Sequence, residues 1–80
     1  MEKESIQKVK MKDIPKGGLF IYRKEVWRSL GKLLASSHSC TAQKAFVNEY
    51  GTEIHTTNAD FSDHFKVRPY YGNLPILKEN

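Results

Sequence analysis

The chain has 80 residues, a net charge of +4 and a single cysteine. A chain of this length makes one domain that buries only about 60% of the surface its unfolded form exposes, which leaves little room for a deep catalytic pocket. One cysteine excludes an intrachain disulfide, and apolar runs of four residues or fewer are far too short for a membrane-spanning helix.

The start, Met1 to Ser5, is polar, has no apolar run behind it and is read as a frayed end rather than a signal peptide. These features fit a soluble protein of a reducing, cytoplasmic setting. From Gln7 to Asp13 the pattern alternates, with Val9 and Met11 on one face and Lys8, Lys10 and Lys12 on the other. This predicts a half-buried strand with a lysine comb outside, a comb that also discourages pairing with other chains. Asp13 to Gly18 reads as a turn, since Pro15 presets φ and Gly17 and Gly18 permit positive φ. Leu19 to Arg23 and Val26 to Leu30 read as an antiparallel hairpin turning at Arg23-Lys24-Glu25, with Trp27 packed across one side.

Gly31 to Thr41 has no clear period. Lys32 to Ala35 fits either a helical turn or a strand end, and Ser36 to Cys40 is read as a mobile loop. Thr41 to Asn48 and Thr52 to Thr56 read as strands joined through Glu49-Tyr50-Gly51, with glycine at the strained position. Asn58 to Asp60 is expected to turn. Asp60 to Phe65 is expected to form one helical turn, capped by Asp60, with Phe61 and Phe65 on one face. Lys66 to Arg68 closes the order as a strand that Pro69 ends or confines to an edge, and residues 72–80 are read as a flexible tail. Phe20, Trp27, Phe46, Phe61 and Phe65 are the expected core, each able to bury ~150–250 Å².

The fold class is therefore mostly β: a single domain over 1–80, a small five-stranded barrel with one short helical turn before the last strand. This order resembles small SH3-like barrels, in particular short accessory proteins of bacteriophages. The matching residues are Ile14-Pro15-Lys16-Gly17-Gly18-Leu19-Phe20 at the front and Val67-Arg68-Pro69 at the back, within residues 8–70. The resemblance implies a fold and a binding role with no particular target. A five-stranded OB-like barrel is the rival architecture.

No constellation supplies a base, a nucleophile and an oxyanion site together, so no enzyme, cofactor or small-molecule substrate is expected. His38, Cys40, His55 and His64 lack the paired spacing of a zinc site, so no metal is expected and the histidines read as surface residues. Cys40 reads as an ordinary thiol despite His38 two positions away, and Asp60 and Asp63 as capping residues. Gly17-Gly18 precedes a strand, whereas phosphate-cradling glycines open a helix.

Charge is the one functional cue. Residues 1–40 hold nine Lys and Arg against four Asp and Glu, while residues 41–80 hold four against five. Lys8, Lys10, Lys12, Lys16, Arg23, Lys24, Arg28 and Lys32 interleave with Tyr22 and Trp27. Cations neutralise phosphates and aromatic faces stack bases. The expected role is a non-enzymatic module that contacts nucleic acid, or an acidic protein surface, through Lys8, Lys10, Lys12, Lys16, Tyr22, Arg23, Lys24, Arg28 and Lys32. The bland alternative is a solvated face that keeps a small protein soluble. A second functional reading is a protein-interaction module using Tyr50, Tyr70, Tyr71 and the apolar Leu74 to Leu77, which could equally fold back to plug the barrel.

Overall fold

The computed structural model describes residues 7–32, 34 and 36–77. Residues 1–5, read above as a frayed end, residues 78–80 of the expected tail, and Leu33 and Ala35 lie outside the described residues. The strands are β1 (Val9–Lys10), β2 (Leu19–Tyr22), β3 (Glu25–Gly31), β4 (Ser39–Val47), β5 (Glu53–Ser62) and β6 (Lys66–Tyr70), with a 3₁₀ turn at Met11–Asp13. They form one six-stranded sheet in the order β1-β6-β2-β3-β4-β5, with every strand pairing antiparallel. The architecture is mostly β as expected, but there are six strands rather than five, and the sheet is open, with β1 and β5 as its edges. No helix among the described residues is long and apolar enough to cross a membrane.

Alternation within β2 and β3 builds the core. Phe20 stands opposite Trp27 on the inner face, while Ile21 and Val26 face the other way. Phe61 comes from β5 to the centre of this face and meets Phe20, Tyr22 and Trp27 edge-on at centroid distances of 5.4, 5.1 and 5.4 Å. It has room because its neighbours are small: Cys40 is its cross-strand partner, and Ala42 lies opposite Ser29 and Ala59. Met11, Ile14 and Val67 complete the cluster. Val26 and Ala45 are buried outside it. Of the expected core rings, Phe20, Trp27 and Phe61 are buried, Phe46 is half-buried and Phe65 is exposed.

Several local expectations need correction. The first strand ends at Lys10, and Met11 reaches the core from the 3₁₀ turn rather than by alternation. Met11 N still donates to Phe65 O at 2.8 Å in the register of the ladder, and the path turns after it, with Lys12 N donating to Asp63 O and Ile14 N to Met11 O, both at 3.0 Å. Asn58 to Asp60 does not turn, and Asp60 caps no helix; all three residues continue β5. Cross-strand side-chain bonds hold them there, from Gln43 Nε2 to Asn58 Oδ1 at 2.8 Å and from Thr41 Oγ1 to Asp60 Oδ1 at 3.0 Å. The expected helical turn shrinks to a tight turn at Asp63-His64, closed by Phe65 N donating to Ser62 O at 3.0 Å. The loop read over Ser36 to Cys40 stops at His38, because Ser39 and Cys40 already pair with Ser62 and Phe61.

The Pro15 to Gly18 turn forms as expected. Gly18 N donates to Pro15 O at 2.8 Å, and Gly17 takes φ of +87° at the position that a type II turn reserves for glycine. Pro69 lies within β6, which runs on to Tyr70. It is tolerated because, among the described residues, β1 pairs with β6 only at Lys66 and Val67 and the ladder does not reach the proline. The tail bonds to the sheet at β4 and at β6: Val47 N donates to Pro75 O and Leu77 N to Val47 O, both at 2.9 Å, and Tyr70 Oη donates to Asn73 O at 2.6 Å. Leu74 and Leu77 are half-buried there, whereas Tyr71 and Ile76 are exposed.

Candidate functional site

The topology gathers cations that are distant in the chain. Val9 and Val67 pair with their side chains toward the core, so their neighbours point outward, and Lys10 stands directly opposite Lys66. One residue before the ladder, Lys8 is level with Arg68. Side chains in such positions stand ~5 Å apart across the strands and ~7 Å apart along them. The β2–β6 register pairs Ile21 with Arg68, and carried past Tyr22 it brings Arg23 level with Lys66. Lys8, Lys10, Lys66 and Arg68, flanked by the Arg23-Lys24 hairpin tip, thus make one outward cationic surface. Among the described residues, none of these side chains is ion-paired with a carboxylate. Like charges directly opposite each other destabilise a sheet, so the Lys10–Lys66 pair opposes folding unless an anion sits over it.

The hairpin tip carries a second cost. Arg23 and Lys24 have φ of 54° and 66°, the left-handed region that side chains with a Cβ rarely adopt. Two positive φ values define a type I′ turn, for which Asn-Gly is the favoured pair. Here two cations occupy it, and the Arg23 guanidinium lies over the Tyr22 ring at 5.3 Å from the centroid. Tyr22 is half-buried, backed by Phe61 and by Phe65 at 5.6 Å.

The other expected site residues are placed elsewhere or are already engaged. Arg28 projects from the same face as Ile21 but forks onto Glu53, with Nε donating to Oε2 at 2.6 Å and Nη2 to Oε1 at 2.7 Å, while Nη1 donates to Gly17 O at 2.6 Å. It is a clamp between β3, β5 and the Gly17 turn. Lys32 pairs with Asp63 at 3.3 Å. The exposed Lys16 sits in the turn, with its aliphatic stem against Gly31. Lys12 is exposed on the 3₁₀ turn, outside the ladder. Trp27 is core, with Lys44 5.8 Å from its ring centroid and Lys44 itself bound to Glu25 at 2.9 Å. Lys66 and Arg68 lie in the net acidic half of the chain, where a reading by charge does not find them. The alternation of Lys66-Val67-Arg68, with the valine inward, was the signal that could have found them.

Two carboxylates are tuned by these contacts. Hydrogen bonds from Arg28 hold Glu53 below the usual glutamate value against the opposing effect of burial, and His55, whose Nε2 lies 2.7 Å from Oε2, adds to the lowering. Burial pushes the Asp63 carboxyl up, but Lys32, His64 and His38 outweigh it, and it lies below the usual aspartate value. Cys40 sits close by with no exposed surface to speak of; burial pushes its thiol up, Asp63 adds to this and Lys32 opposes it. A raised thiol is a poor nucleophile. His38, His55 and His64 are exposed, and among the described residues no group of three His, Cys, Asp or Glu side chains is placed to hold a metal ion.

In comparisons with known proteins the chain matches no family model, no curated protein and no solved structure.

Proposed function

We propose that this chain is a non-enzymatic binding module that contacts nucleic acid through the outer face of the β1–β6 ladder and the β2–β3 hairpin tip. The observation that carries the reading is Lys10 directly opposite Lys66, beside Lys8, Arg68, Arg23 and Lys24, with no carboxylate neutralising them among the described residues. Such an arrangement disfavours the free protein and favours a polyanion, whose phosphates replace the missing counter-charges. The proposal extends to an SH3-like architecture of the kind used by small bacteriophage accessory proteins acting in a host cytoplasm, supported by the short antiparallel strands of the one sheet and by the Pro15-Lys16-Gly17-Gly18 turn before β2.

Binding of the full chain to single- and double-stranded DNA and RNA across a salt series tests it. Affinity is expected to fall linearly with the logarithm of salt, with a slope of about −0.7 to −0.9 for each phosphate neutralised. No binding to any of them at about 50 mM salt overturns the reading and leaves a protein partner as the ligand to seek.

A further inference from the structure

Resting on the nucleic-acid reading above, we infer that Phe65 is a stacking platform for a nucleobase, which makes the ligand of the cationic surface a single strand. Phe65 is 41% exposed, although it belongs to a ring cluster in a chain with little core to spare. It precedes Lys66, the first residue of β6, by one position, so the ring lies one residue from the cationic ladder. Its backbone is pinned on both sides: its N donates to Ser62 O at 3.0 Å and its O accepts from Met11 N at 2.8 Å. Its ring is backed by Tyr22 at 5.6 Å and Phe61 at 6.0 Å. The ring is thus held in place before any ligand arrives. Lys66, the cross-strand partner of Lys10, follows it in the chain, and Arg23 lies over the Tyr22 ring that backs it.

A duplex keeps its bases in the stack, beyond reach of a ring at the surface, whereas a single strand can turn a base out onto it. Phosphates would lie on the Lys10–Lys66 side and at the hairpin tip, with a base turned inward over Phe65. Stacking accepts any base, so the site is expected to show little sequence preference.

Fluorescence anisotropy of the full chain tests this, using a labelled oligothymidine of about 12 nucleotides, the matching duplex and an abasic strand of the same length. Wild type is expected to bind oligothymidine more tightly than either of the others, with the same salt slope for oligothymidine and the abasic strand because their phosphates are the same. Phe65→Leu is expected to lower oligothymidine affinity by roughly 5- to 140-fold, the worth of one stacked base, with the salt slope unchanged and with Phe65→Trp close to wild type. Equal affinity for the abasic and base-bearing strands overturns the stacking role, and this comparison needs no variant to fold. Tighter binding to the duplex, or a folded Phe65→Leu protein that binds as wild type does, also overturns it, and in each of these cases the cationic surface still stands. Failure to bind any oligomer at low salt removes the underlying reading as well.

Discussion

Arg28 lies in the cationic first half of the chain, yet its guanidinium is committed to Glu53 and to the Gly17 carbonyl. Both side chains of the pair are 29% exposed, so solvent screens part of the attraction, and the planar fork supplies the geometry that an isolated lysine would lack. Arg28→Lys is expected to cost about 1 kcal/mol in urea unfolding while leaving nucleic-acid affinity close to wild type, because Arg28 is no part of the free cationic surface. Glu53 has a folded pKa below its unfolded value. Its contribution is therefore present above the ordinary glutamate value and is lost as pH falls through the lowered folded value. Glu53→Gln is expected to flatten the acid limb of a stability–pH curve, and Asp63, lowered in the same direction, is expected to leave a residual slope. Cys40 gives a third readout at this scale. Buried and with its thiol raised, it is expected to resist a disulfide exchange reagent in the native protein and to react once urea unfolds the chain. Rapid native labelling would mean that the wall formed by Phe61 and Ala42 opens readily.

Two turns of this chain obey opposite rules. The β4–β5 connection is built as such turns usually are: Asn48 Oδ1 accepts from the N–H groups of Tyr50 and Thr52, both at 2.9 Å, and Gly51 takes φ of +84°. The β2–β3 connection places Arg23 and Lys24 where a glycine is wanted. Replacing the pair by Asn-Gly is expected to raise stability by about 1 kcal/mol, since the new residues adopt positive φ at little cost. The same change removes two cations and is expected to weaken binding to oligonucleotides. Stability measured by urea unfolding and affinity measured by anisotropy should therefore move in opposite directions. A stabilised variant that binds unchanged would take the hairpin tip out of the interface.

For the molecule as a whole, the decisive feature is that β6 inserts between β1 and β2. The net charge of +4 is modest, but this insertion concentrates cations from both ends of the chain on one outer face. Lys66→Glu tests the consequence in two ways. It turns a repelling cross-strand pair into an attracting one, so stability is expected to rise by about 0.5 kcal/mol. It also removes a phosphate contact and adds a repelling charge, so affinity for nucleic acid should fall and the salt slope should flatten by about 1. A protein whose cations serve only as a solvated face would show the first effect without the second.

The amino-acid sequence by itself determined what depends on neighbours a few residues apart. Alternation placed Phe20 and Trp27 inward, Pro15 with Gly17 made a turn, and Gly51 closed a hairpin. These choices follow from backbone sterics and period-two geometry, which act locally. Only the tertiary structure decided the rest. Asn58 and Asp60 look like turn formers until Gln43 and Thr41 on β4 bind them into a strand. After Met11 the chain leaves the extended path as Lys12 N takes up Asp63 O, an acceptor from the far end of the chain. The free cations were separated from the committed ones by pairings across long stretches of sequence: Lys10 with Lys66 on one side, Arg28 with Glu53 and Lys32 with Asp63 on the other. Charge is legible in a sequence, but whether a cation meets a carboxylate or another cation is set by which strands lie side by side.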